Sequence, residues 1–405
     1  MGGIDHYLAS VPFLPISIVM IAALLTCFCI NTAFGPPEAS GRQNELDGLR
    51  GFLALFVFIH HFRLWKVYSS SGEFLLTGQQ LFAHLGPDSV CLFFMITSYL
   101  FFSKLLNARG RPIDWFALFI SRLLRIAPLY LFSVALFFYT VGVFTDWELR
   151  VPRLTLLKSM GRWLALAIVG APDLNGFSDT YHIMGVTWTL RYEWFSYFSL
   201  PLLALATGVR APKPFLALAS LSLAFLYSTN LQLVFCLSFL GGIVAAILAR
   251  SAKWRSLAAQ RVCSIAVIAL IAINVTFINP QIEMSTIALN SAVFIIVTGG
   301  NNLCGLLTSE SSRTLGEISY SVYLLHNLLL FWLYRSLLGE ESLRNMSETH
   351  WLCVVLATTP VLIVACYATY RLIEVPPIEV QRMVGAVASS PHRKSSHIIP
   401  QNHTG

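Results

Sequence analysis

Charge is scarce in this chain. Of its 405 residues only 12% are Asp, Glu, Lys or Arg, about half the share of roughly 25% typical of soluble domains. Acids are the scarcer sign, 20 against 27 Lys and Arg. With 56% hydrophobic residues and a mean hydropathy of +0.68, a soluble fold has no way to hide its apolar surface. The composition therefore points to a polytopic membrane protein. Cysteine pattern is also missing. The eight cysteines fall mostly inside apolar runs and only Cys27 and Cys29 are closely spaced, which leaves neither a disulfide framework nor a metal-ligand spacing. They read as small core residues. No internal repeat is visible. The net charge of +7 sits in loops between apolar runs. It therefore reads as orientation in the membrane, with no nucleic-acid partner expected.

What the chain does have is long apolar runs, which predict an all-α, polytopic transmembrane helical bundle. A run over 11–34 is long enough to span; a signal peptide is the alternative reading, and the length favours a retained helix. Further spans are expected near 49–64, 89–106, 123–144, 187–206, 215–227, 231–249, 262–279, 284–300, 318–338 and 351–372. Segment 160–171 is apolar but short. The basic residues Lys104, Arg109, Arg111, Arg122 and Arg125, and later Arg250, Lys253, Arg255 and Arg261, fall on one side only if 160–171 does not cross. That predicts eleven spans, a long outer loop over 145–186 and a cytoplasmic C-terminus. The domains read as an N-terminal helix and linker (1–44), a membrane domain (45–380) and a polar, disordered cytoplasmic tail (381–405).

One stretch stands out, Glu45-Leu46-Asp47-Gly48-Leu49-Arg50, running on to His60-His61. Arg50 and His61 are eleven residues apart, about three helical turns, so they share a face, with His61 roughly 16 Å further along. Asp47 joins that stripe and His60 points elsewhere. Interfacial anchoring is the plain reading; ionisable groups inside a span are costly and tend to be functional.

Five further groups follow. Thr97 and Ser98 lie in an apolar span, where their hydroxyls either serve a polar role or bond their own helix backbone. Arg122 and Arg125 before Pro128 present two guanidinium forks on one face, suited to phosphates or, alternatively, to lipid headgroups and topology. Trp188, Thr189 and Glu193 open another span. Tyr320, Tyr323 and His326 lie at three-residue spacing, and Arg371 and Glu374 precede Pro376.

Taken in order, these segments resemble the integral-membrane acyltransferase-3 family. Leu-Asp-Gly-Leu-Arg followed by His61 is similar to its opening motif, and the later segments to its Phe-Phe-Ser-Gly, paired-arginine, Trp-Ser-Leu-x-x-Glu, Tyr-x-x-His and Glu-x-Pro motifs. Thr97 stands where serine is usual and Ser98 replaces a glycine. The match covers roughly 45–380. The resemblance implies a ten-helix acyltransferase core plus one extra N-terminal helix, in a bacterial inner membrane. The implied activity is O-acyl transfer from cytoplasmic acyl-CoA, acetyl-CoA by default, to a carbohydrate or glycolipid acceptor, with membrane lipids as the other partners and no permanently bound cofactor. His61 is then the candidate general base, with Glu193 and Asp47 as the other catalytic candidates. Arg50, Arg122 and Arg125 are the candidate ligands for CoA phosphates. Thr97, Ser98, Trp188, Tyr323 and His326 are the candidate substrate-binding residues. The competing class is a transporter or flippase, which predicts broken helices at matching places in two halves.

Overall fold

The computed structural model describes residues 3–37, 44–109, 111–229, 231–338 and 345–381. Among these the chain is helical, and the only β-feature is an isolated bridge between Leu174 and Phe177. The expected tail beyond 381 lies outside the described residues. The α-helices are α1 (Gly3–Ser10), α2 (Phe13–Phe34), α3 (Asn44–Ser71), α4 (Gln80–Asn107), α5 (Trp115–Phe144), α6 (Arg153–Leu164), α7 (Thr180–Met184) and α8 (Trp188–Ala206). They continue with α9 (Lys213–Ser228), α10 (Leu233–Leu248), α11 (Ala252–Ala258), α12 (Arg261–Phe277), α13 (Met284–Thr298), α14 (Glu310–Glu317), α15 (Ser319–Trp332) and α16 (Glu348–Thr369). The boundaries have local causes. Asp114 accepts from Ala117 N at 2.9 Å and caps α5, and Ser309 and Ser347 cap α14 and α16 in the same way.

A helix stands at each of the eleven apolar segments. Four, Phe13–Phe34, Gln80–Asn107, Trp115–Phe144 and Glu348–Gln381, are long and apolar enough to cross a membrane by themselves. The α10–α11 pair also qualifies as one span, bent by 110°. Helices α9, α12 and α13 are apolar but only 16, 17 and 15 residues long, rising about 22–26 Å against a hydrocarbon core of about 30 Å. Helices α3 and α8 have the length, 28 and 19 residues, but carry ionisable side chains within it. The chain is a multi-pass membrane protein. Between 145 and 186 the longest helix is the 12-residue α6, about 18 Å and too short to span. Tyr130 Oη donates to Trp163 O at 2.7 Å, and Trp163 Nε1 to Pro172 O at 2.9 Å, so this segment is tied down onto α5.

Helix α3 is the axis of the bundle. Ala54, Leu55, Phe58, Ile59 and Phe62 on it are fully buried, and it packs against α4, α14 and α15. Helix α4 packs on α10 and α8, α10 on α13, and α16 on α2 and α15. Two close approaches fix α3. A Cβ on Gly48 would stand 1.9 Å from Leu307 O, and one on Gly316 of α14 would stand 2.0 Å from Asp47 O. Glycine is required at both because backbone meets backbone there. The N-terminal helix α2 docks on α14 and α16, with Val19, Ala23 and Cys27 fully buried and Thr314 Oγ1 donating to Asn31 Oδ1 at 2.7 Å.

Candidate active site

A cavity of about 450 Å³ enters the bundle between α3, α4, α5, α8 and α15. Its charge is uneven. Arg50, Lys104, Arg122 and Arg125 face it against only Asp47 and Glu193, four cations to two acids. Asp47 and Arg50 come from the first turns of α3, whose position the Gly48 and Gly316 contacts set. Arg122 and Arg125 lie one turn apart on α5, and the Arg122 guanidinium rests over the Phe101 ring at 5.1 Å. Asp47, Arg50, Arg122 and Arg125 also border an adjoining opening of about 390 Å³, to which Arg313, Glu317 and Glu374 contribute. The Glu374 carboxylate accepts from Ser321 Oγ at 2.5 Å. Further in, the walls become apolar and hydroxylated, with Val90, Phe93, Thr97, Thr189, Tyr320 and Tyr323. Glu193 accepts a short hydrogen bond from Tyr197 Oη, one helical turn along α8.

Tyr323 ends the cavity. Its Oη donates to Val186 O at 3.1 Å and shares a hydrogen bond with Thr189 Oγ1 at 2.9 Å. Beyond its ring lies a pair of imidazoles. The Tyr323 and His326 ring centres are 6.3 Å apart, and those of His326 and His61 are 5.0 Å apart. His326 Nε2 is 3.1 Å from His61 Nδ1. The structure thus brings together residues from α3 and α15 that are 265 positions apart. His61 shares a helix face with Arg50, yet neither it nor His326 lines the cavity. His60 turns the other way. Its Nδ1 donates to Phe82 O at 2.8 Å, and its ring lies against Gly86 of α4.

Besides the two imidazoles, two more candidates do not line the cavity. Ser98 is buried at the α4–α10 interface; its hydroxyl donates to Met95 O at 3.1 Å and packs against Gly242. One position past Thr97 is a turn of about 100°, so the two hydroxyls diverge. Gly242 on the facing helix supplies the room that a glycine at 98 would have given. Trp188 packs against Phe235 at 4.9 Å, Tyr192 at 5.5 Å and the back of Phe94 at 6.4 Å, and does not itself line the cavity. Both side chains are held in packing contacts here.

Several contributors carried no signal along the chain. Lys104 reads along the chain only as a topology charge, and the sequence singles out neither Arg313 nor Tyr197. On the far side of His61 from Tyr323, Phe74 approaches the imidazole at 6.5 Å and His182 at 4.7 Å, and Tyr68 lies 4.6 Å from His182. Asp179 there accepts from Arg335 Nη2 at 2.5 Å and His182 Nδ1 at 3.2 Å. The His182 hydrogen bond, with help from Arg335, holds the Asp179 carboxyl below its ordinary value. Arg63 meets Glu348 in a two-pronged pair at 2.6 and 3.0 Å, which Lys66 joins at 2.8 Å.

A family model described as an acyltransferase domain, that of acyltransferase-3, matches residues 43–371. The match begins at α3 and leaves α2 outside it. No curated protein and no solved structure matches the chain.

Proposed function

The chain belongs to the acyltransferase-3 family of membrane acyltransferases, and from that premise we propose a donor, an acceptor and a route. The donor is a cytoplasmic acyl-CoA, with acetyl as the first acyl group to test. The acceptor is a hydroxyl of a surface or lipid-linked carbohydrate at a bacterial inner membrane. The observation that carries this reading is the polarity of the cavity. Four cations gather at Arg50, Lys104, Arg122 and Arg125, and the walls then become apolar and hydroxylated towards an imidazole pair. A CoA molecule has the same polarity, with phosphates at one end and a slender arm ending in a thioester. Guanidinium forks suit the phosphates. Apolar walls suit the arm.

In this reading His61 takes the proton from the acceptor hydroxyl as its oxygen bonds to the thioester carbonyl carbon. The carbonyl oxygen gathers negative charge, for which the Thr97 hydroxyl on the cavity wall is a donor. Collapse breaks the carbon–sulfur bond, and the imidazolium returns its proton to the leaving CoA thiolate. Glu193, with Tyr197 on it, balances charge in the cavity. Asp47 offsets the arginines at the wide end. His61 does not line the cavity, so the cavity's inner wall has to shift for the thioester to meet the imidazole.

Purified protein in nanodiscs tests this directly. Acetyl-CoA should yield free CoA, and His61→Ala should lose that release. Mass spectrometry of surface glycans from a deletion strain should show a missing acetyl group. CoA release equal in wild type and His61→Ala would remove the base, and no release from any acyl-CoA would remove the donor.

A further inference from the structure

The hydrogen bonds around His61 fix where its proton sits. His326 Nδ1 lies 2.9 Å from Val322 O, and His61 Nδ1 lies 2.9 Å from Val57 O. A carbonyl oxygen only accepts, so each Nδ1 carries a hydrogen. In a neutral ring the other nitrogen is then bare. His326 Nε2 therefore has a lone pair, and it faces His61 Nδ1 at 3.1 Å. The His61 Nδ1–H is left with two acceptors, one on its own helix and one on α15. The remaining nitrogen, His61 Nε2, has no hydrogen-bond partner among the described residues. His326 is fully buried, so its lone pair has no water to turn to.

We propose that His326 is the positioning residue for His61. It holds the Nδ1–H tautomer and leaves Nε2 as the atom that takes the acceptor's proton. When Nε2 is protonated, positive charge spreads to Nδ1–H, and a second acceptor on that hydrogen stabilises the imidazolium. A buried carboxylate would do this more strongly. A neutral imidazole does it without placing a net charge beside the thioester. This role replaces substrate contact for His326, and it rests on the reading of His61 as general base. The proton stays on His61 until the leaving thiolate takes it. His326 cannot pass it on, because its own Nδ1–H ends on Val322 O.

Three variants and one spectrum test the assignment. His326→Phe keeps bulk and removes the acceptor. His326→Gln offers an amide oxygen near the position of Nε2. Losing a base outright costs about 10² to 10⁴ in rate, so losing its positioning acceptor should cost less, roughly 10- to 100-fold. With acetyl-CoA as probe and CoA release as readout, His326→Phe should lower kcat by that factor with KM for acetyl-CoA unchanged. His326→Gln should recover to within about threefold of wild type. Equal losses in Phe and Gln variants, or no loss in Phe, would overturn the proposal. His61→Ala is the control on the underlying reading: full activity there sinks the general base itself. ¹⁵N spectra of histidine-labelled protein in nanodiscs need no substrate and no variant. They should show the His61 proton on Nδ1, and a proton on Nε2 would end the proposal whatever the kinetics.

Discussion

Substituting alanine for Gly316 should pull α3 off its seat and weaken donor binding without touching a charged group. Helix α14 meets α3 at this glycine. A methyl group there would lie 2.0 Å from Asp47 O and 2.6 Å from Asp47 C. Ordinary carbon contacts are about 3.5–4.0 Å, so the helices must part by more than about 1 Å. No side chain can swing aside, because the obstructing atoms are backbone. The contact is also shared: a Cβ on Gly51 would stand 2.7 Å from Gly316 N. Overpacking of this kind costs about 1–3 kcal/mol. The functional loss comes from what α3 carries next to the contact, Asp47 and Arg50. A shift of about 1 Å in a binding group can cost up to roughly 10²-fold.

The assay pairs thermal unfolding in detergent with the KM for acetyl-CoA. Gly316→Ala should melt several degrees lower and raise KM by at least about fivefold, within the loss a shift of this size allows. Gly161→Ala is the control, since a Cβ there meets nothing within 4 Å. Alanine should leave α6 unchanged or slightly firmer, by up to about 1 kcal/mol. A Gly316→Ala protein that melts and binds like wild type would refute the claim that this backbone contact sets the cavity's wide end.

Other expectations follow from the same geometry. Arg122→Ala and Arg125→Ala should raise the KM for acyl-CoA more than they lower kcat, and unchanged KM in both would leave these residues as topology signals. A cysteine placed at Asp173 should react with an impermeant thiol reagent from outside intact cells; reaction only after lysis would overturn the outer placement of 145–186. Asp179 stabilises its loop when ionised. Its pKa in the fold lies below 3.8, so that contribution is complete above this value and is lost as pH falls through the lower, folded one. Limited proteolysis between 145 and 186 should therefore rise in acid, and Asp179→Asn should be cut readily at neutral pH as well. His61→Ala should abolish transfer at matched membrane levels while His60→Ala keeps most of it, because His60 is spent on Phe82 O and Gly86; the reverse pattern would reassign the catalytic face.

How much of this was legible along the chain depends on the range of each contact. Apolar runs mark helices locally, and each of the eleven segments is helical. Helix phase is local too. It sets Asp47 and Arg50 on one face, and both line the cavity. The same rule separates Thr97, which lines it, from Ser98, which does not, although adjacency in a motif makes them look like one unit. Phase cannot say which neighbour a face will meet. The Trp188 ring lies against Phe94 and Phe235, and only the packing of α4 and α10 around α8 makes that contact. The hydrogen bond between His326 and His61 spans 265 positions, and the pair of Arg63 and Glu348 spans 285.

The opening motif itself divides on these lines. Asp47 and Arg50 reach the cavity through their side chains. Gly48 is needed for what it lacks, because Leu307 O occupies the space a side chain would take. A chemical reading of Leu-Asp-Gly-Leu-Arg finds the charges and passes over the glycine. Yet the glycine decides whether the charges arrive where a phosphate could meet them. The partner contact ties the later Leu315-Gly316-Glu317 segment to the first: Gly48 needs the Leu307 backbone, Gly316 needs Asp47, and α3 settles against α14 and the turn before it only when both are free of side chains. Two stretches far apart along the chain are thus two sides of one contact, and the chemistry at Arg50 depends on it.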